Sequence, residues 1–145
     1  MNNKAARKWL SFILCLALIA AIALTAMGCD QANTPEVNDE NVPVTVMGEG
    51  ATVFYFNVVD KDGNLSKFEI HTDKTLVGDA LLELNLIEGE AGPYGLYVKT
   101  VNGITADYET NGTYWAFYEG NAMSMTGVDL TEIKAGATYA FKETK

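Results

Sequence analysis

Tyr114-Trp115-Ala116-Phe117-Tyr118 is the densest aromatic stretch of the chain. Read as a β-strand, its side chains alternate between two faces. Tyr114, Ala116 and Tyr118 point one way, Trp115 and Phe117 the other. Both faces are bulky, so both need cover. The helix of the sheet covers one; a loop, a partner or a ligand covers the other. Alternation alone does not say which set meets the helix.

The flanking segments supply the rest of a sheet. Ala51 to Val59 reads as a strand with Phe54, Phe56 and Val58 on one face and Val53, Tyr55 and Val59 on the other. Asp60-Lys61-Asp62-Gly63-Asn64 is a turn, its Asp-Gly step suited to positive φ. Leu65 to His71 returns, with Phe68 and Ile70 inward and Lys67, Glu69 and His71 toward water. Leu76, Val77, Ala80, Leu81 and Leu84 recur at helical spacing, which predicts one helix of about three turns. Asp73 or Thr75 can cap its start and Asn85 or Gly89 its end. Gly89 to Gly95, with Pro93 and Tyr94, reads as a mobile loop. Leu96 to Val101 is a strand closed by Asn102-Gly103, and Thr105 to Thr113 reads as irregular. Thr138 to Lys142 is the last strand, with Tyr139 and Phe141 on one side. The order β-β-α-β-β-β predicts an α+β fold, a β-grasp-like mixed sheet packed on a single helix.

The N-terminal part reads differently. Lys4, Arg7 and Lys8 precede an apolar run from Trp9 to Ala26, and Ala26-Met27-Gly28-Cys29 follows. Residues 1–28 therefore read as an export signal, and the site resembles a bacterial lipobox. In such signals the cysteine takes diacylglycerol and becomes the mature N-terminus. Cys29 is the expected lipidation site, since the one other cysteine, Cys15, lies inside the signal. Two acyl chains give stable anchoring, here on the outer face of a bacterial cell membrane. Residues 29–50 are polar and turn-rich and read as a flexible tether. Residues 51–145 form the domain.

Charge and motifs exclude several functions. The chain carries 10 Lys+Arg and 19 Asp+Glu, a net charge of −9. Removing the signal leaves 7 basic against 19 acidic residues, a net charge of −12. Nucleic acid demands the opposite sign, and so does lying flat on anionic lipid. The acidic pairs Asp60/Asp62, Glu88/Glu90 and Asp107/Glu109 could in principle run glycoside hydrolysis, but they fall in turns of a domain too small for a deep cleft. The Asp60 turn lacks the glycine and glutamate spacing of a calcium loop, and there is no phosphate loop. The chain is expected to be no enzyme, with no catalytic residues, no metal site and no required cofactor.

The binding signal is aromatic and sulfur-rich. Tyr94, Tyr97, Trp115, Tyr118, Met123 and Met125 cluster in the later half. Aromatics bury large area while keeping a polar handle, and methionines adapt to irregular shapes. For Trp115 and Phe117, core packing and ligand contact are both open readings.

Leu96-Tyr97-Val98-Lys99-Thr100-Val101-Asn102-Gly103, then Tyr114-Trp115-Ala116-Phe117-Tyr118, Gly127-Val128-Asp129 and Lys134-Ala135-Gly136-Ala137-Thr138-Tyr139 together resemble the transcobalamin-like C-terminal domain family. In vertebrate cobalamin carriers this domain closes over one face of the corrin while a helical domain holds the other. No counterpart of that helical domain is read in this chain. The resemblance implies ligand contacts from Trp115, Phe117 and Tyr118 and from Asn121, Met123 and Met125 in the Glu119 to Gly127 loop. Two functions compete. One is a surface lipoprotein that binds a cobalamin-like or other large planar ligand and hands it to an importer. The other is a protein-protein interaction module on the cell surface.

Overall fold

The computed structural model describes residues 41–145, and among these strands dominate. β1 (Val44–Gly48), β2 (Thr52–Val59) and β3 (Leu65–Thr72) precede the helix α1 (Val77–Glu83). β4 (Ile87–Gly92), β5 (Gly95–Val101) and β6 (Ile104–Thr105) follow, then the single turn α2 (Tyr108–Asn111). β7 (Tyr114–Glu119), β8 (Ala122–Met123), the 3-10 helix η1 (Val128–Leu130) and β9 (Thr138–Thr144) complete the chain. The strands form two sheets, one of six in the order β1-β3-β2-β9-β7-β8 and one of three in the order β4-β5-β6. The α+β class holds, but the expected single sheet does not: β4, β5 and β6 pair among themselves and not with β2 or β9.

The six-stranded sheet is mixed. β2 runs antiparallel to β3 and parallel to β9, and β9 runs antiparallel to β7. Alternation places Phe54, Phe56, Val58, Phe68, Ile70, Phe117, Tyr139 and Phe141 on one face, all buried. Their rings interlock. Tyr139 stacks on Phe117 at 6.1 Å and meets Phe54 edge-on at 5.6 Å, and Phe141 lies 5.1 Å from Phe117. Such pairs add to the gain from area burial. The Tyr139 hydroxyl donates to Glu132 O and accepts from Lys134 N, both at 3.1 Å, so the polar tip of this core ring is satisfied. Val77, Ala80 and Leu81 of α1 and Ile87, Val98 and Val101 of the small sheet belong to the same core. Helix and small sheet together cover what the helix alone was expected to cover.

Three local expectations are corrected. A tether running through residue 50 does not hold: Val44–Gly48 is a strand, pairing in parallel with β3 from Val44↔Lys67 to Gly48↔His71. Its reason is tertiary: Met47 packs against the core, a contact that local composition does not reveal. Gly89 to Gly95, expected as a mobile loop, is largely β4, hydrogen-bonded to β5, with a register shift at Glu88/Gly89. The helix is shorter and uncapped by side chains. Asp73 instead accepts from Ala51 N at 2.9 Å, and Val77 N, an orphan donor of the first turn, donates to Thr131 O at 2.9 Å. Asn85, with φ of 54°, ends the helix as expected. Residues 1–40, with the signal, Cys29 and most of the tether, lie outside the described residues. No helix among the described residues is long and apolar enough to cross a membrane.

Candidate functional site

The central strand decides which predicted contacts can reach a ligand. Trp115 and Phe117 face the core and are only 7% and 9% exposed. Expected as ligand contacts, both are core residues instead: Phe117 packs against the rings of Tyr139 and Phe141 of β9, and Trp115 belongs to the same buried cluster. Tyr118 points the other way, onto the open face of the six-stranded sheet. There the Lys142 ammonium lies 4.4 Å from its ring centroid, a favourable cation–π contact. Met123 is the cross-strand partner of Tyr118 and so shares that face. Asn121, in the β7–β8 turn, lines a groove of about 580 Å³ with Asn57, Val59, Thr138 and Lys142. Tyr118, Asn121 and Met123 therefore gather at one edge of the open face.

Tyr94 and Met125 belong to a second gathering. Tyr94 sits in the β4–β5 turn and is 95% exposed; Met125, in the loop after β8, is fully exposed. That loop is nevertheless well tied. Ser124 N donates to Phe117 O at 2.9 Å, and Ser124 Oγ donates to Glu119 Oε1 at 2.7 Å while accepting from Thr126 N at 3.1 Å. Thr131 Oγ1 and Leu130 N both donate to Gly127 O, at 2.9 and 3.0 Å. The loop and the turn meet at Asp129, whose Oδ2 accepts from Leu96 N at 3.1 Å.

Three glycines make room for this aspartate. A Cβ on Gly95 would stand 2.9 Å from Oδ2, one on Gly127 2.6 Å from Oδ1, and one on Gly78 of α1 2.8 Å from the Asp129 Cα. Gly95 also has φ of 113°, a backbone that side chains rarely adopt. Asp129 Oδ1 is buried without a hydrogen-bond partner. Leu130, beside it, is exposed. Asp129 and Leu130 were not among the expected contacts. Their signal is spatial: Gly95 and Gly127 meet the Asp129 carboxylate and Gly78 meets its backbone, which spacing along the chain does not show.

A third recess lies by the small sheet, lined by Glu90, Tyr97, Lys99, Asp107, Tyr108 and Glu109. It holds one ion pair and a helix cap. Glu90 lies 3.2 Å from the Lys99 ammonium and, by hydrogen bond and charge, holds the lysine pKa above its ordinary value. Asp107 caps α2, accepting from Glu109 N at 2.9 Å; that bond comes first among the causes keeping its pKa below the ordinary value. Among the described residues no three His, Cys, Asp or Glu side chains come together as a metal-binding group. His71, the one histidine, has its ring 2.8 Å from Glu69.

Comparison with known proteins gives a coarse placement. No curated protein matches the chain. A solved structure from Ruminococcus gnavus, described as a "putative metal binding protein", is similar at 28% identity and a TM-score of 0.62. It covers 66% of this chain, and the match takes in 98% of the other. Haptocorrin in complex with Cbi is similar at 14% identity and a TM-score of 0.48, over 68% of this chain and 26% of that one. Residues 73–144 match the family model described as a domain of unknown function, DUF4430. From the approach to α1 to the end of β9, the chain resembles that family.

Proposed function

We propose that residues 41–145 are a small binding module that takes a large, partly apolar ligand on the rim formed by the Ser124 to Gly127 loop and the Tyr94 turn, which meet at Asp129. One observation carries this reading: Tyr94 and Met125 stand almost wholly exposed on two ordered loops that meet at Asp129. Loops held in place by a rigid scaffold are where binding side chains are commonly carried. The recess at the Tyr94 turn is only about 220 Å³, small beside ordinary ligand sites of roughly 300–1,000 Å³. The ligand is therefore gripped from one side. A broad planar molecule fringed with polar groups, a corrinoid or a haem, fits such a rim. A metal ion as the ligand itself is less well supported, since no donor group of three comes together among the described residues.

The module is further proposed to be an extracytoplasmic lipoprotein, held on the outer membrane face through Cys29, that passes its ligand to an importer. This rests on the export signal and on Cys29 as the one cysteine beyond it. Cys29→Ser should release the protein from membranes or block its processing; normal cleavage with full membrane retention ends the proposal. For the ligand, the test is a visible-band titration of the full chain with hydroxocobalamin, cobinamide and haem in turn. One of the three should shift its bands, and Met125→Ala should weaken that binding by about tenfold, as loss of a moderate hot spot does.

The shallow recess also favours a second reading, a protein partner docked on the same rim. Silence in all three titrations, with a surface protein retained by wild type and lost with Met125→Ala, selects that reading.

A further inference from the structure

We infer that Asp129 is the positioning residue of this rim: its carboxylate pins the Tyr94 turn to the Ser124 to Gly127 loop, fixing the separation of Tyr94 and Met125. The inference rests on the reading of the rim as a binding surface, and it deepens that reading by naming what holds the surface in shape.

The Leu96 N to Asp129 Oδ2 bond joins positions 33 residues apart. It enters β5 one residue after the Gly95 turn and two after Tyr94, so it fixes the base of the turn that carries the exposed ring. On the other side, η1 begins directly after Gly127, and Leu130 N and Thr131 Oγ1 both close back onto Gly127 O. Asp129 therefore sits rigidly with respect to the Met125 loop, and its side chain is the polar tie from that loop to Leu96.

The surroundings are shaped for this carboxylate. Gly95 and Gly127 leave space where any Cβ would strike one or other oxygen, and Gly78 lets the Asp129 backbone lie against α1. Oδ1 is buried without a partner, which is unfavourable for folding. An apolar residue would avoid that cost but could not accept from Leu96 N. Asparagine could, through its side-chain carbonyl. Asp129→Ala therefore removes the tie, and Asp129→Asn, which keeps an acceptor oxygen in the same place without the charge, should restore it.

The experiment is amide hydrogen exchange by NMR on the full chain, for wild type, Asp129→Ala and Asp129→Asn, beside a cobinamide titration of each. In Asp129→Ala the Leu96 amide should exchange at least about tenfold faster through local opening of the turn. The amides of Tyr55 and Phe141, in the six-stranded sheet, should keep their wild-type rates. Asp129→Asn should hold Leu96 within about threefold of wild type. Cobinamide affinity should fall about tenfold in Asp129→Ala and recover in Asp129→Asn, with Tyr94 and Met125 untouched. Unchanged Leu96 protection in Asp129→Ala overturns the inference, and so does a loss that spreads equally to Tyr55. Faster Leu96 exchange with undiminished cobinamide binding overturns the positioning role. If wild type binds hydroxocobalamin or haem instead, that probe takes the place of cobinamide; if it binds none of the three, the ligand reading fails on its own, and the exchange rates alone decide whether Asp129 pins the turn.

Discussion

The inner face of the six-stranded sheet and the rim at Asp129 use much the same residue types with opposite outcomes. On the sheet, Phe54, Phe117, Tyr139 and Phe141 are buried in ring-to-ring contact. On the rim, Tyr94 and Met125 stand in water on loops held by backbone and hydroxyl hydrogen bonds. The core is held by apolar contact, the rim by polar ties and by glycines that let backbone and carboxylate approach. An aromatic or a methionine is thus no evidence of a binding site by type alone; what matters is whether the structure beneath it is already satisfied without it.

That contrast breaks first if the core is less committed than it looks. Phe117→Ala should destabilise the domain by about 3–5 kcal/mol, the usual range for deleting a large core aromatic, as read by urea denaturation. Trp115→Ala should behave alike. A melt unchanged in either variant would return that residue to the list of ligand contacts. The junction comes next. Gly127→Ala pushes a Cβ toward the Asp129 carboxylate, and overpacking of this kind costs about 1–3 kcal/mol. Gly95→Ala adds backbone strain to the same clash and should be the worse of the two. On the rim itself, Met125→Ala should leave unfolding within about 0.5 kcal/mol of wild type, as exposed substitutions do, while weakening ligand capture. A stability loss comparable to that of Phe117→Ala would erase the distinction between the regions. The smallest effect is electrostatic. Asp107 has its pKa lowered by the Glu109 N–H bond, so the ionised cap favours the folded state above the ordinary aspartate range and the benefit fades as pH falls through the lowered value. NMR of the 108–111 turn should show fraying only below about pH 4, and the core aromatics should not follow it.

The same contrast explains what could be read in advance. Phe54, Phe56 and Val58, Phe68 and Ile70, and Tyr139 and Phe141 were legible because a strand buried on one face writes its burial into alternate residues. On β7 alternation gave two sets but not their direction. That came from β9, where Phe141 lies opposite Phe117, a relation between strands and not within one. β1 was hidden for a similar reason. Val44-Thr45-Val46-Met47-Gly48 follows a polar, proline-bearing stretch, and its role depends on pairing with β3 some twenty residues on. β4 was hidden by glycines: Gly89 and Gly92 read as loop signals, yet Gly89 has the Tyr97 carbonyl where a Cβ would stand, so the glycine permits the pairing that it seemed to forbid. The rim was half legible. Tyr94 and Met125 could be named as candidates from aromatic and sulfur content and resemblance, as could Tyr118, Asn121 and Met123, which lie at the edge of the open face instead. The junction at Asp129 could not, since its three glycines come from three separate parts of the chain.

The placement of β1 has a mechanical consequence. The strand lies at the edge of the sheet, and its neighbour β3 runs in the same direction. A pull on the chain ahead of residue 41 reaches the domain through β1. Directed along the strand, that load is shared by the hydrogen bonds of a five-residue register; directed across it, the bonds yield one after another, as a zip does. The domain therefore resists tension according to the angle from which it is drawn, and β1 is the clasp that would give way before the aromatic core feels the force.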